Sequence, residues 1–360
     1  MMEQLLPVAA LLAFMSSDQA LRREVGAYLE SHRDHPAHAP WLARLGQGEG
    51  APMDALAAVI SAADQAQPKP DGKTSLAEVD QFVAQRWGDE DLANPYVLSL
   101  LKLSLRRFAQ STGARAVANH LAGARSLDGV EFFAFRHGDS VPSSRKEVCG
   151  DPVRCSREET GLAPGAEKAV ADSADRWIAQ NRALLESRMR AGKVVIAASP
   201  FRRTRETAAA VAARLQQAFG RTPGIELEWG LRERFFGDFE ALRNSQDLYE
   251  DAWRHDPDFD GGVGIDAAWG IETPLDVAER TTGVLARYQD RCPGHVVVLV
   301  AHDDALKLLE AALRGQPLSR HADASCQTTA GGCVKSYRTT EYRGLNPIIL
   351  GKAAPGTKTP

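Results

Sequence analysis

At 360 residues, with 44% hydrophobic and 25% charged side chains, the chain has the makeup of a folded globular protein and is too apolar to be disordered. Its net charge of −4 excludes a general basic footprint for nucleic acid, so an anion must be held by particular residues in a local pocket. No apolar run reaches the roughly eighteen residues that a membrane-spanning helix needs, which excludes a bilayer span.

In chain order, the apolar run at residues 5–15 has the length of a signal-peptide core. Glu3 precedes it without Lys or Arg and no small-x-small site follows, so a first helix is expected, with export as the alternative. Residues 19–29, 53–63, 75–87 and 96–109 carry apolar side chains at three- and four-residue spacing, and none alternates like a strand. Pro, Gly and polar stretches at 35–40, 46–52 and 67–72 separate these helices. Residues 1–125 therefore read as a helical domain that can cap a pocket, dock a partner or target the protein.

From Gly129 the pattern changes. The short, largely apolar runs 130–135, 194–198 and 296–301 suit strands buried on both faces of a parallel sheet. Helical stretches at 166–189, 200–219 and 274–288 alternate with them, as in an α/β layered fold. Ser199-Pro200 and Thr273-Pro274 each place a capping hydroxyl before a proline at a helix start, and Gly220 closes the helix that Ser199 opens.

The reactive side chains fall where these strands end. Arg136-His137-Gly138, Ser199 with Arg203, and His302 each follow a predicted strand, and ligands of open α/β sheets bind at the carboxyl ends of strands. Two histidines and two arginines brought to one edge fit a dianionic phosphoryl group, because planar guanidinium groups donate charge-assisted, often bidentate hydrogen bonds to its oxygens.

The run Phe135-Arg136-His137-Gly138-Asp139-Ser140, the later Ser199-Pro200-Phe201-Arg202-Arg203-Thr204-Arg205-Glu206-Thr207-Ala208, the segment Leu231-Arg232-Glu233-Arg234-Phe235-Phe236-Gly237-Asp238-Phe239-Glu240 and Ala301-His302 resemble the histidine phosphatase superfamily, the phosphoglycerate-mutase-like proteins. Residues 161–169 and 270–273 look like weaker motifs of that family, in family order. One tripeptide is a weak signal; four motifs in order are a strong one. The resemblance implies a three-layer α/β/α domain over residues 129–345, preceded by the helical N-terminal domain and followed by a flexible tail at 346–360.

By position, the resemblance makes His137 the nucleophile, Arg136, Arg203 and His302 the phosphate-holding shell, and Glu233 the proton donor. Ser140, Ser143 and Arg234 join Arg136, Arg203 and His302 as candidate substrate contacts, although Arg234, like Arg202 and Arg205, only flanks a motif position. The implied reaction is hydrolysis of a small-molecule or protein phosphomonoester through a phosphohistidine, with no metal and no other cofactor. The alternatives are a phosphoglycerate-type mutase and a catalytically silent module that binds a phosphorylated partner.

The sequence departs from the family pattern at Asp303-Asp304, where the mutase branch has glycine; a His-Asp pair marks the acid-phosphatase branch and makes Asp303 a rival donor to Glu233. A stretch from Ser143 to about residue 157 also replaces a shorter loop. Five cysteines, an odd and small number, favour a reducing, cytoplasmic compartment, while the close pairs Cys149/Cys155 and Cys326/Cys333 suit local disulfides in an exported form. Cys149 and Cys155 have no nearby base and read as structural or incidental. Two half-matches to calcium loops, at 256–263 and 71–78, lack ligands at other positions and read as acidic turns.

Overall fold

The computed structural model describes residues 6–31, 39, 43, 51–67, 70–86, 95–111, 129–237, 240, 249, 253, 256, 271–318, 321 and 336–346. Among the described residues its N-terminal part holds five helices: α1 (Val8–Ser17), α2 (Gln19–Ser31), α3 (Ala51–Gln65), α4 (Leu76–Gln85) and α5 (Pro95–Ser111). Each presents an apolar stripe that must be covered by another helix. Leu11, Met15, Leu56, Ile60, Val79 and Leu101 meet in one buried cluster. The apolar run at 5–15 thus supplies α1 of this cluster. Ser75 and Glu78 close a reciprocal capping box that fixes the start of α4. Two strands that the sequence pattern does not show, β1 (Leu6–Pro7) and β2 (Lys73–Thr74), pair antiparallel beside it. At two residues each they are too short to alternate.

The rest is a five-stranded sheet in the order β5-β4-β6-β3-β7, from β3 (Glu131–Arg136), β4 (Val194–Ala198), β5 (Gly224–Leu227), β6 (Val296–Ala301) and β7 (Tyr342–Gly344). The first four in that order are parallel, and β7 runs antiparallel on the edge beside β3. Helices α6 (Ala166–Gln180), α7 (Arg182–Arg190) and α8 (Arg202–Phe219) cover one face, where Phe135, Ile196 and Val298 meet Trp177 and Val211. On the other face α9 (Pro274–Arg291) and α10 (Asp303–Leu313) cover Phe132, Ala197 and Leu299 with Val284 and Leu306. The result is the expected α/β/α sandwich behind a mostly helical N-terminal region. Among the described residues no helix is long and apolar enough to cross a membrane.

Burial on both faces explains why β4 and β6 carry unbroken apolar runs rather than alternating ones. β5 lies on the sheet edge with its side chains largely exposed, and its sequence carries no such run. The single helix expected over 166–189 is two, broken at Asn181, whose side-chain amide donates to the Trp177 carbonyl. Asn346 brackets β3 by accepting from the Phe132 amide and donating to the Val130 carbonyl, so the sheet grips the chain one residue into the expected tail.

Trp177 is fully buried and its ring meets Phe133 and Phe135 edge-on at 5.4 and 6.3 Å, pinning α6 to the sheet. Trp177→Ala is expected to lower the unfolding free energy by about 3–5 kcal/mol, read from the midpoint of urea denaturation. A loss below about 1 kcal/mol would show that α6 is not held through this ring.

Candidate active site

Parallel pairing delivers three strand ends to one edge. Arg136 at the end of β3 is paired with Ala301 at the end of β6, so His137 and His302 leave adjacent strands side by side. The His137 amide donates to the Ala301 carbonyl, and the two imidazole rings lie 5.1 Å apart, edge to face. Gly138 follows because no side chain fits there: a Cβ would come within 2.6 Å of the Val170 methyl and 3.0 Å of Leu162. Its amide donates to the Thr207 hydroxyl, fixing the chain directly after the histidine.

Arg203, in the first turn of α8 and 4% exposed, ties the site together. Its Nε donates to His137 Nε2 at 3.1 Å, and its Nη2 donates to His302 Nδ1 and to the Cys149 carbonyl, both at 2.9 Å. Nη1 is buried and has no hydrogen-bond partner among the described residues. An arginine cannot accept, so the ring nitrogens facing it are lone pairs. His137 then carries its proton on Nδ1, 2.6 Å from the Gly138 carbonyl, and His302 carries its proton on Nε2, 2.9 Å from the Ser199 hydroxyl. Both histidines are pushed well below their ordinary pKa, first by burial and then by Arg203. Burial also lowers Arg203, to about 10, which leaves it cationic at neutral pH.

Arg136 lies behind the histidines. Its guanidinium donates to the Tyr337 carbonyl and sits 3.8 Å from Asp303, and its charge adds to the pressure that keeps both rings neutral.

Glu233 is 8% exposed, and one of its oxygens accepts from the Arg234 amide at 2.9 Å. Burial and the negative Asp304 push its pKa up to about 7, against the opposing pull of Arg203. Asp303 has a different setting: Oδ1 accepts from the Tyr337 amide at 2.7 Å, and Oδ2 faces Lys307 at 3.7 Å. Among the described residues no group of three or more His, Cys, Asp or Glu side chains is arranged to hold a metal ion.

A family model described as the histidine phosphatase superfamily, branch 1, matches residues 175–343. The match spans a little under half of the chain and takes in Arg203, Glu233 and His302. The match begins after Arg136 and His137, which join the domain through the β3–β6 pairing. Similar solved structures include a mycobacterial glucosyl-3-phosphoglycerate phosphatase, at 21% identity over 59% of this chain and 88% of its own, with a TM-score of 0.40. A phosphoserine phosphatase from Entamoeba histolytica is 14% identical over 59% of this chain and 88% of its own, with a TM-score of 0.41. No curated protein matches the chain.

Around this site, several side chains picked out in the sequence do other work. Ser199 does not cap α8, which starts at Arg202; its hydroxyl holds His302 instead. Ser140 is buried and caps the turn Val141–Ser144 by accepting from the Ser143 amide, and the hydroxyl of the exposed Ser143 is hydrogen-bonded to the Ser140 hydroxyl at 2.9 Å. Arg234 is 1% exposed and spends its guanidinium on Asp256 at 2.6 and 3.0 Å and on the Glu272 carbonyl, so it supports the Glu233 segment rather than facing a ligand.

The same pairing removes Asp256 as a calcium ligand, while residues 257–263 lie outside the described residues. Asp71 and Glu78 accept from the Lys73 and Ser75 amides in a turn and a helix cap. Cys149 and Cys155 are joined in a disulfide beside Phe201 and so brace the loop whose carbonyl holds Arg203; Cys326 and Cys333 lie outside the described residues.

Sequence reasoning missed Glu240, which accepts from the Gly150 and Phe236 amides and is also pushed up to about 7 by burial. Only its place at the end of the Leu231–Glu240 motif hinted at it.

The raised Glu233 has a consequence for stability. The folded protein keeps this carboxyl protonated up to about pH 7, whereas an unfolded chain ionises it near 4.5. The unfolded state therefore binds fewer protons between those values, and stability falls as pH rises through that window. Glu233→Gln removes the penalty. Relative to wild type it is expected to gain up to ~3 kcal/mol between pH 4.5 and pH 8, with Glu240 contributing equally to both proteins. Urea unfolding at the two pH values measures this, and a pH-independent difference would show that Glu233 ionises normally in the folded state.

Proposed function

We propose that this protein is a phosphomonoester hydrolase that works through a phosphohistidine on His137, with residues 129–345 as the catalytic domain and residues 1–125 as a helical domain packed against it. The observation that carries this reading is the buried Arg203 guanidinium, which touches both neutral histidines and keeps one N–H without a partner among the described residues. A buried donor without an acceptor is costly, and a phosphoryl oxygen is the acceptor that satisfies it.

In the first step His137 Nε2 gives up the hydrogen bond from Arg203 Nε, whose N–H turns to a phosphoryl oxygen, and attacks phosphorus; a nitrogen–phosphorus bond forms and the ester oxygen–phosphorus bond breaks. The proton stays on Nδ1, donated to the Gly138 carbonyl, and that carbonyl stabilises the cation that develops on the ring. The leaving oxygen takes the proton of Glu233. In the second step water attacks phosphorus and gives its proton to the Glu233 carboxylate; the nitrogen–phosphorus bond breaks and inorganic phosphate leaves. A pKa of about 7 suits a group that must act as acid and then as base near neutrality. Arg203 and Arg136 bring fixed positive charge to the oxygens as charge builds on them, and no metal enters either step.

Glu233 is preferred to Asp303 because the Asp303 carboxylate is already committed to the Tyr337 amide and faces Lys307 and Arg136. The substrate class is a small-molecule or protein phosphomonoester.

Hydrolysis of an aryl phosphate by His137→Ala is expected to fall at least ~10⁴-fold, and acid-quenched wild-type protein should carry acid-labile phosphate that the variant lacks. Glu233→Gln should lose ~10²–10⁴-fold on an alkyl phosphate, while Asp303→Asn stays within about tenfold of wild type. The reverse order of the two carboxylate variants would move the proton to Asp303. Turnover that appears only with a bisphosphorylated primer would replace the hydrolase by a mutase.

A further inference from the structure

Directly before Glu233, Arg232 is 1% exposed and reaches out of the phosphatase domain. Its two terminal nitrogens donate to both oxygens of Asp80 on α4, at 2.6 and 3.0 Å, a bidentate pair between residues 152 positions apart. Nη2 also donates to Glu272 at 2.9 Å. Glu272 in turn accepts from Arg280 at 2.8 and 2.9 Å and from the Phe235 amide at 3.2 Å. Arg280 donates to the carbonyls of Gly230 and Arg232 at 2.8 Å and of Glu233 at 3.3 Å. The backbone from Gly230 to Phe235, with Glu233 in its middle, is thus gripped by one buried ionic cluster.

Three anions, Asp80, Glu272 and Asp276, face three cations, Arg232, Arg280 and Lys102. Two of the six come from the N-terminal helices: Asp80 on α4 and Lys102 on α5, whose Nζ lies 2.7 Å from Asp80. Apolar contact follows the same path, since Phe235 and Trp229 pack into the N-terminal cluster. Without Asp80, two guanidinium groups would share the Glu272 carboxylate in a buried site, and breaking a buried pair by removing one partner is strongly destabilising locally.

We propose that Asp80 is a positioning residue for the proton donor: by fixing Arg232 it sets the place of Glu233, so the N-terminal helical domain is part of the active-site frame. This rests on the reading of Glu233 as the donor. Misplacing a reacting group by about 1 Å can cost ~10²-fold in rate.

The test uses the full chain and two esters, an alkyl phosphate whose leaving oxygen needs a proton and a dinitrophenyl phosphate whose leaving group does not. First-turnover rates isolate phosphoryl transfer to His137. Asp80→Asn keeps the size of the side chain and removes its charge. It is expected to slow the alkyl ester ~10–100-fold and to leave the dinitrophenyl ester within about threefold of wild type, the same selective pattern as Glu233→Gln. A purely structural role would lower both esters alike, together with the melting temperature, and that result overturns the proposal, as does no change in either ester. Should Asp80→Asn not fold, Arg232→Lys, which keeps the charge and loses the bidentate fork, carries the same comparison with the same two overturning outcomes. If Glu233→Gln itself shows no dependence on the leaving group, the proton-donor reading fails by its own control, and the inference falls with it whatever Asp80→Asn does.

Discussion

The site depends on one buried positive charge. Arg203 has almost no water around it, yet its pKa remains near 10, so it stays cationic, and each histidine that it touches must present a lone pair rather than a proton. That single constraint fixes two tautomers. It also orients the rings, because His137 then has only the Gly138 carbonyl for its proton and His302 only the Ser199 hydroxyl. The strands and the first turn of α8 are the scaffold that makes this geometry repeatable: parallel pairing puts the ends of β3, β4 and β6 on one edge, and burial on both faces leaves that edge little freedom to shift.

Carboxylates nearby show how strongly surroundings decide chemistry. Glu233 is buried and Glu240 half-buried, each with backbone amides as its main partners, and both are pushed up to about 7. Asp304 is as deeply buried but pairs with Lys307 at 2.9 Å and accepts a hydrogen bond from the Trp253 indole N–H, and it is held well below the usual range against the effect of its burial. Its retained negative charge is in turn one of the reasons that Glu233 stays protonated. A fixed anion beside a neutral acid is the arrangement by which two carboxyl groups are given separate roles.

What could be read in the sequence follows from how local each signal is. The ends of β4 and β6 are legible to the residue because an apolar run bounded by polar residues can only be a doubly covered strand here. Thr273-Pro274 is a helix start for equally local reasons, with a capping box to Asp276. β5 and β7 were not legible: both are edge strands with half their surface open, so neither needs an apolar run. Ser199 misled because its spacing fits a cap, while its hydroxyl is claimed by His302, 103 residues away. His137, Arg203, Glu233 and His302 stood out through motif order, but the partners that set their protonation, the carbonyls of Gly138 and Cys149, carry no side-chain signal at all.

Asp80 is the extreme case. In sequence it is one acidic residue on an amphipathic helix, and the ordinary expectation for such a residue is a solvated face. Folding places it against Arg232, where burial alone would raise its pKa and the two cations Arg232 and Lys102 instead hold it well below the usual range. A buried ionic cluster of this kind adds little net stability, since apolar residues of similar volume often serve as well or better. What it adds is direction. An apolar contact tolerates sliding, whereas the bidentate fork of Arg232 on Asp80 accepts one geometry, and the residue whose place is thereby fixed is the neighbour of Glu233. The apolar contact of Phe235 and Trp229 therefore holds the N-terminal helices against the sheet, and the charged cluster sets the orientation in which they are held.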